Sequence, residues 1–401
     1  MQYRYYWKIR ELKPLDDREK KMEIIKYSEE HKIFRQAVRK FFQKEVIPYV
    51  EEWEEAGITP RSVWKKMGEA GFLCMDVPQE YGGMGADFLY SVIMTEELAR
   101  TNHTGLAAPL HSDIIVPYIT TFASEELKKK YLPGCVSGEI ITAIAMTEPN
   151  TGSDLAAIRT TAVEEGDEVV INGQKTFISN GINCDLVVLA AKDPAVADPH
   201  QAIDLYLVPA GTPGFKKGKP IKKVGWRSQD TAELFFTDCR IPKANRLGRK
   251  GDGFIMLMQK LQQERLICSI AAVAGAEYML ELTIAYCKER KAFGRPISKF
   301  QNTQFKIVEM ATEVKLGRTF LDKLIIDHIE GENIIVEVAM AKYWTTEMAM
   351  RVADRCVQLH GGYGYCEEYP IARAWRDMRV LSIFAGTNEI MKGIAAKFMG
   401  L

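Results

Sequence analysis

The segment MTEPNTGSDLAAIRT (146–160) contains a turn of small residues, Asn150 to Ser153, whose backbone N–H groups and hydroxyls suit a phosphate or the edge of a planar ring. One hairpin further on, GQKTFISNG (173–181) sets Phe177 two residues from Ser179, and strand alternation puts both on one side. An aromatic for stacking beside a hydroxyl donor suits a planar heterocycle. KERKAFGRPISKFQ (288–301) gathers Arg290, Phe293 and Gln301 around a helix break at Gly294. QLHGGYGYCEEYPIARAWRD (358–377) carries Gly361-Gly362, where backbone can approach a ligand closely. IFAGTNEIMK (383–392) places Thr387, Asn388 and Glu389 just before a final helix, whose free N–H groups favour pyrophosphate. Each run alone has an ordinary explanation, a chain turn or a strand with one buried Phe.

The elements that must hold these runs fall into three regions of different period. From Glu29 to about Ile140 the pattern is helical: Phe34, Val38, Phe41, Phe42 and Val46 recur at steps of three and four and make one apolar stripe. DVPQEYGGMGAD (76–87) interrupts as an ordered loop, and a second helical block runs from Phe88 towards Tyr131. Near Ile141 the period shortens. Val169 to Ile178 reads as a hairpin turning at Asn172-Gly173, followed by strands at 184–191, 202–210 and 232–242, which together make a compact sheet or barrel. From Gly253 the helical period returns, with Leu266, Ile267, Ile270, Ala271, Ala274 and Tyr278 facing a bundle core. The expected fold is α+β in three domains: helical (1–140), β-barrel-like (141–250) and a four-helix bundle (251–401).

Composition narrows the function classes. The 401 residues permit two or three domains, and 47% hydrophobic with 26% charged residues is globular usage, which excludes disorder. Lys plus Arg number 53, as do Asp plus Glu, so there is no basic excess for nucleic acid or an anionic membrane. Eight scattered cysteines and six histidines show no metal-ligand spacing, and the cysteines read as small buried thiols of a reducing compartment. His103, His111 and His360 have no acid or thiol partner in sequence, so packing is their default role. No stretch reaches the roughly 20 apolar residues of a membrane span, and the N-terminus lacks a secretory core, so a cytoplasmic location is expected. The extension bearing Tyr3, Tyr5, Tyr6 and Trp7 either packs on a neighbouring surface or is disordered.

Together the five segments resemble the acyl-CoA dehydrogenase family of flavoproteins, from about Tyr27 to Leu401, above all in MTEPNTGSD and in QLHGGYGYCEEYP followed by AGTNE. The resemblance implies FAD as cofactor, an acyl-CoA substrate, electron-transfer flavoprotein as acceptor and a homotetramer. It further implies that Ile144, Met146, Thr147, Ser153, Phe177, Ile178 and Ser179 line the flavin. Arg290, Phe293, Gln301, Gln358, Leu359, His360, Gly361 and Gly362 would contact the adenosine and pyrophosphate, partly from a neighbouring subunit. Thr387, Asn388 and Glu389 would close the dinucleotide site. Ser153, Gln262, Gln263, Arg265, Ala385 and Gly386 would lie beside the acyl-CoA.

The base departs from the commoner family pattern. Many members carry a glutamate before the Gly-Thr of the last motif, where this chain has Ala385. A subset, including the long-chain and isovaleryl types, carries it instead in the first turn of an earlier bundle helix, and KLQQERLICS (260–269) matches with Glu264. The plain alternative for Glu264 is an acid at a helix start. The resemblance thus implies α,β-dehydrogenation with Glu264 as base and the backbone N–H at Ala385 as one donor to the enolate oxygen. A straight medium or long acyl chain comes first and a short branched one second. An oxidase-like reaction and a non-catalytic flavin-binding scaffold are the rival readings.

Overall fold

Ser28 accepts a hydrogen bond from the His31 N–H and, with the His31 side chain reaching back, starts helix α1 (Glu29–Glu45). The computed structural model describes residues 24–401, so the Tyr3–Trp7 stretch lies outside the described residues. The stripe read on α1 is used: Val38 and Phe42 are buried, as is Val46 just beyond, while Phe34 and Phe41 pack at its margin. Helices α2 (Val50–Ala56), α3 (Arg61–Glu69), α4 (Phe88–Ala99), α5 (Val116–Phe122) and α6 (Glu125–Val136) complete the first domain. A wide π-type turn, Leu110–Ile115, leads into α5; such turns re-aim the side chains that follow.

The middle domain is one eight-stranded sheet in the order β6-β7-β3-β2-β4-β5-β8, with β1 parallel to β4. Its strands are β1 (Thr142–Ala145), β2 (Thr161–Glu165), β3 (Glu168–Ile178), β4 (Leu186–Lys192), β5 (Ile203–Pro209), β6 (Phe215–Pro220), β7 (Ala232–Pro242) and β8 (Arg246–Leu247). The central strands are apolar on both faces for a reason. Leu186, Val188 and Ala190 of β4 join the core of the helical domain, while Val187, Leu189 and Ala191 join the sheet's own core.

The hairpin turn is not at Asn172-Gly173. It is Gly166-Asp167, with Gly166 at φ 62° and Glu165 opposite Glu168. Asn172-Gly173 is instead an irregularity inside β3, where the register with β7 slips and the Asn172 amide exchanges hydrogen bonds with Asp238 (3.2 and 2.8 Å).

The bundle consists of α7 (Gly253–Glu289), α8 (Gln301–Ile329), α9 (Ile335–His360), α10 (Pro370–Met378) and α11 (Asn388–Phe398). A two-residue turn at Phe293-Gly294 joins short strands β9 (Lys291–Ala292) and β10 (Arg295–Pro296) between α7 and α8. The α7 helix carries an 18-residue window of mean hydropathy 1.5, long and apolar enough by composition to cross a membrane. However, 78% of that window is buried against neighbouring elements, which makes it a core helix. Also, α7 starts at Gly253, so Glu264 lies about three turns in rather than in the first turn. The dipole explanation for an acid at that position therefore does not apply.

Candidate active site

Glu264 is 3% exposed. Its Oε1 accepts a 2.7 Å hydrogen bond from the Tyr118 hydroxyl on α5. Burial pushes its carboxyl up to about 7, against the opposing pull of the Tyr118 hydrogen bond, Arg265 and Lys260. Lys260, one turn earlier, donates to Thr121 (2.7 Å) and makes no ion pair with Glu264. A carboxylate poised near neutrality in an apolar setting is what proton abstraction needs. Arg265 is buried too, and its Nε has no partner. Gln262 and Gln263 are spent on the fold: Gln262 contacts His328, Glu332 and Ile334, and Gln263 holds the Asp113 carbonyl at 2.7 Å.

The Ala385-Gly386 segment is left-handed at two consecutive residues, φ 52° and 85°. Neither of their N–H groups donates to an acceptor among the described residues. Thr387 caps α11 through the Ile390 N–H. Asn388 is buried, and its side chain is committed to Lys342, Thr346 and Tyr343. Glu389 is exposed.

On the sheet, Glu148 and Thr151 exchange backbone hydrogen bonds (2.8 and 3.1 Å) and close the Glu-Pro-Asn-Thr turn. Beneath it lies a buried ion pair, Lys175 Nζ to Glu148 Oε1 at 2.9 Å, with Nζ also on the Met146 carbonyl (3.0 Å). The Thr176 N–H joins the Thr147 carbonyl (2.9 Å), so β3 and the turn form one unit. Ile144, Met146 and Thr147 are half-buried on this unit and Ser153 is exposed.

Strand alternation does not relate Phe177 to Ser179. Phe177 is itself left-handed (φ 57°), the register with β7 slips between Lys175 and Ile178, and Ser179 already belongs to the following turn. Ile178 points into the sheet core at 3% exposure, whereas Phe177 is 64% exposed. Asn180, bonded to Gln229 and to the Thr142 carbonyl, fixes the turn that carries Ser179.

A third group gathers at the far end of the bundle. Arg290, Phe293, Gln301, Gln358, Gly361 and Gly362 are all exposed there, Phe293 at 96%. Arg290 lies over the Tyr363 ring (5.5 Å), and its carbonyl accepts from Ile297 (2.8 Å). Leu359 is half-buried, and His360 is buried with its ring stacked on Tyr286 (4.2 Å) and its Nδ1 on the Cys356 carbonyl.

A thiol does reach one histidine, against expectation: Cys74 Sγ lies 3.4 Å from His111 Nε2. Burial drives His111 down to about 4 and the Cys74 thiol up, so both stay neutral in the core. His103, held by Ser228 (2.6 Å), is pushed down to about 3 by burial. Tyr118, Lys175 and Lys342 were not singled out from sequence. Lys342 carried one sequence signal, a lysine inside the apolar run VAMAKYW (338–344), whereas Lys175 sits between Gln174 and Thr176 and carried none.

Residues 28–139, 143–239 and 251–400 match the acyl-CoA dehydrogenase N-terminal, middle and C-terminal domains in turn. The chain belongs to the acyl-CoA dehydrogenase family. It is 46% identical over 372 residues to the mitochondrial long-chain specific acyl-CoA dehydrogenase of Rattus norvegicus, covering 92% of this chain and 86% of that protein. An acyl-CoA dehydrogenase structure from Geobacillus kaustophilus superposes with a TM-score of 0.92 at 56% identity, over 94% of this chain and 99% of that one. A chain from a structure of the electron transferring flavoprotein of Acidaminococcus fermentans gives 0.90 at 36% identity, over 94% and 99%.

Like the family, this acyl-CoA dehydrogenase is an FAD-dependent oxidoreductase acting on the CH–CH bond of an acyl-CoA. The residues present fit the cofactor. Phe177 offers an open aromatic face, and the Ser179 hydroxyl takes no partner among the described residues. A Cβ built on Gly152, Gly361 or Gly362 would meet nothing within 4 Å, which leaves room for close approach.

Proposed function

We propose that this acyl-CoA dehydrogenase converts a straight-chain medium or long acyl-CoA to the trans-2-enoyl-CoA, with Glu264 as base. The observation that carries the reading is the buried Glu264 carboxyl, bonded among the described residues to Tyr118 alone and raised towards neutrality, in a chain with Ala385 at the other base position. Glu264 takes the α-proton while the electron pair moves towards the thioester oxygen. The free N–H at Ala385 suits that developing charge. Arg265 adds a buried cation beside the Glu264 carboxylate on the same helix. When bound, FAD supplies the acceptor for the β-hydrogen as hydride. Ile144 to Ser153 with Phe177 and Ser179 would hold its ring system.

A homotetramer and reoxidation by electron-transfer flavoprotein complete the proposal. Along α7, Arg290 lies about 39 Å from Glu264 at 1.5 Å per residue, farther than one dinucleotide reaches. The exposed group at Arg290, Phe293, Gln358, Gly361 and Gly362 therefore serves the site of a second copy. Phe305, Val308 and Leu316, all more than half exposed on one face of α8, give a second copy apolar surface to cover. The long-chain relative supports the substrate class, and the similarity to the flavoprotein-structure chain supports the acceptor.

The test is anaerobic stopped-flow reduction by acyl-CoAs of graded length and branching. Glu264→Gln should keep FAD and acyl-CoA binding yet reduce at least 10²–10⁴-fold more slowly. Reduction at the wild-type rate removes Glu264 as base. A kcat/KM maximum at isovaleryl-CoA moves the substrate to the short branched class, and rapid reoxidation by oxygen alone moves the activity to the oxidases.

A further inference from the structure

Lys342 lies about two turns into α9 with no exposed surface. Its ammonium donates to the Gly386 carbonyl at 2.7 Å and to Asn388 Oδ1 at 3.2 Å. No carboxylate among the described residues forms an ion pair with it; the exposed Glu389 lies nearby, as do Cys268 and Arg265. Thr346 ties the same group together, its hydroxyl reaching the Lys342 carbonyl (2.8 Å) and Asn388 Oδ1 (3.2 Å). The Asn388 amide in turn donates to the Tyr343 carbonyl (3.3 Å). Three α9 residues thus grip the segment that follows Ala385.

That segment needs holding. Ala385 sits at φ 52° beside Gly386 at φ 85°, and a non-glycine residue in this region is strained unless its surroundings hold it there. Its N–H, like that of Gly386, takes no acceptor among the described residues and is open to the substrate's developing oxygen. A buried ammonium without a counter-ion is an expensive way to join a helix to a loop. A methionine of the same length would fill the space without that desolvation. Packing alone does not account for the charge.

We propose that Lys342 is a positioning residue for α-proton abstraction: by gripping the Gly386 carbonyl it keeps Ala385 left-handed, with its N–H free for the enolate oxygen, and it sets a positive charge behind that loop. This rests on the reading of Glu264 as base. It differs from that reading in what it assigns, since Lys342 touches neither the acyl-CoA nor the proton.

The test uses the FAD-loaded enzyme and 3-thiaoctanoyl-CoA, whose sulfur acidifies the α-C–H and leaves no β-hydrogen to transfer. Its enolate, stacked on oxidised flavin, is read as a long-wavelength charge-transfer band. In Lys342→Met the analogue should bind within threefold of wild type, while the ionisation constant falls at least tenfold. With a turnover substrate kcat should fall at least tenfold at nearly constant KM, with no loss in thermal midpoint. Lys342→Gln, which keeps a donor but no charge, should fall between the two; if Lys342→Met does not retain FAD, a loss of ionisation in Lys342→Gln supports the inference by itself. Wild-type ionisation in the folded variants overturns the role of Lys342 alone. If the wild-type enzyme binds the analogue without ionising it, the reading of Glu264 falls, and this inference with it.

Discussion

Two buried glutamates, one in the bundle and one at the sheet edge, are driven in opposite directions by their surroundings. Burial raises both. At Glu148 it is outweighed by the Lys175 ammonium and by the N–H groups of Thr160 and Arg159 (2.9 and 2.6 Å), so that carboxyl is held below its ordinary range. At Glu264 a single phenol and two cations not in contact do not outweigh it, and the carboxyl rises to about 7. The nearly saturated glutamate already takes three donors and fixes a turn. The undersaturated one keeps a protonation change within reach of working pH. Partner count, rather than depth, separates the structural acid from the catalytic one.

The largest expected effect comes from breaking the saturated pair. Lys175→Met strands the Glu148 carboxylate, and loss of one member of a buried pair costs about 3–5 kcal/mol. The denaturant midpoint should fall accordingly and FAD should be retained poorly, because the Met146–Thr151 turn loses its anchor. Adding Glu148→Gln should recover most of the loss. A double variant as unstable as the single one would mean that the lysine stem, not the charge, supports the turn.

The second effect has the opposite sign. A glutamate at about 7 when folded and 4.5 as its ordinary value binds more protons folded than unfolded between those values, so it lowers stability as pH rises through that window. Above pH 7 this difference of about 2.5 units amounts to roughly 3 kcal/mol. Glu264→Gln should therefore be more stable than wild type at pH 8, with the gain shrinking towards pH 5. Equal thermal midpoints at both pH values would show that Glu264 is not held near neutrality.

The sequence was most informative where a pattern is local. The α1 stripe, the 232–242 strand and the ordered loop at 76–87 follow from periodicity and turn chemistry that the chain carries by itself. It misled at Asn172-Gly173, because a strong hairpin dipeptide was absorbed by a cross-strand Asn172–Asp238 contact that only the partner strand reveals. Strand alternation likewise does not carry past Phe177, whose left-handed backbone takes Ser179 into a turn. Glu264 was legible through resemblance. What sets its proton affinity was not, since Tyr118 is 146 residues away and comes from another domain. Lys342 and its grip on Gly386 span 44 residues and were equally invisible.

The smallest effect tests that long-range contact directly. The Tyr118 hydroxyl donates to Glu264 and favours its ionised form, so Tyr118→Phe removes a pull that lowers the pKa while leaving the ring in place. A hydrogen bond to a charged group contributes about 1.5–3 kcal/mol, so the pKa should rise by about one to two units. The limb of kcat/KM that climbs with pH as Glu264 ionises should move up by that amount, from its wild-type position near 7. At pH 7 the variant should be slow, and at pH 9 it should approach the wild-type rate, because the base is then ionised in both. A uniform rate loss across pH would assign Tyr118 to substrate orientation. A profile identical to wild type would mean that water takes the place of the hydroxyl, and that Glu264 is not as sealed from solvent as its 3% exposure implies.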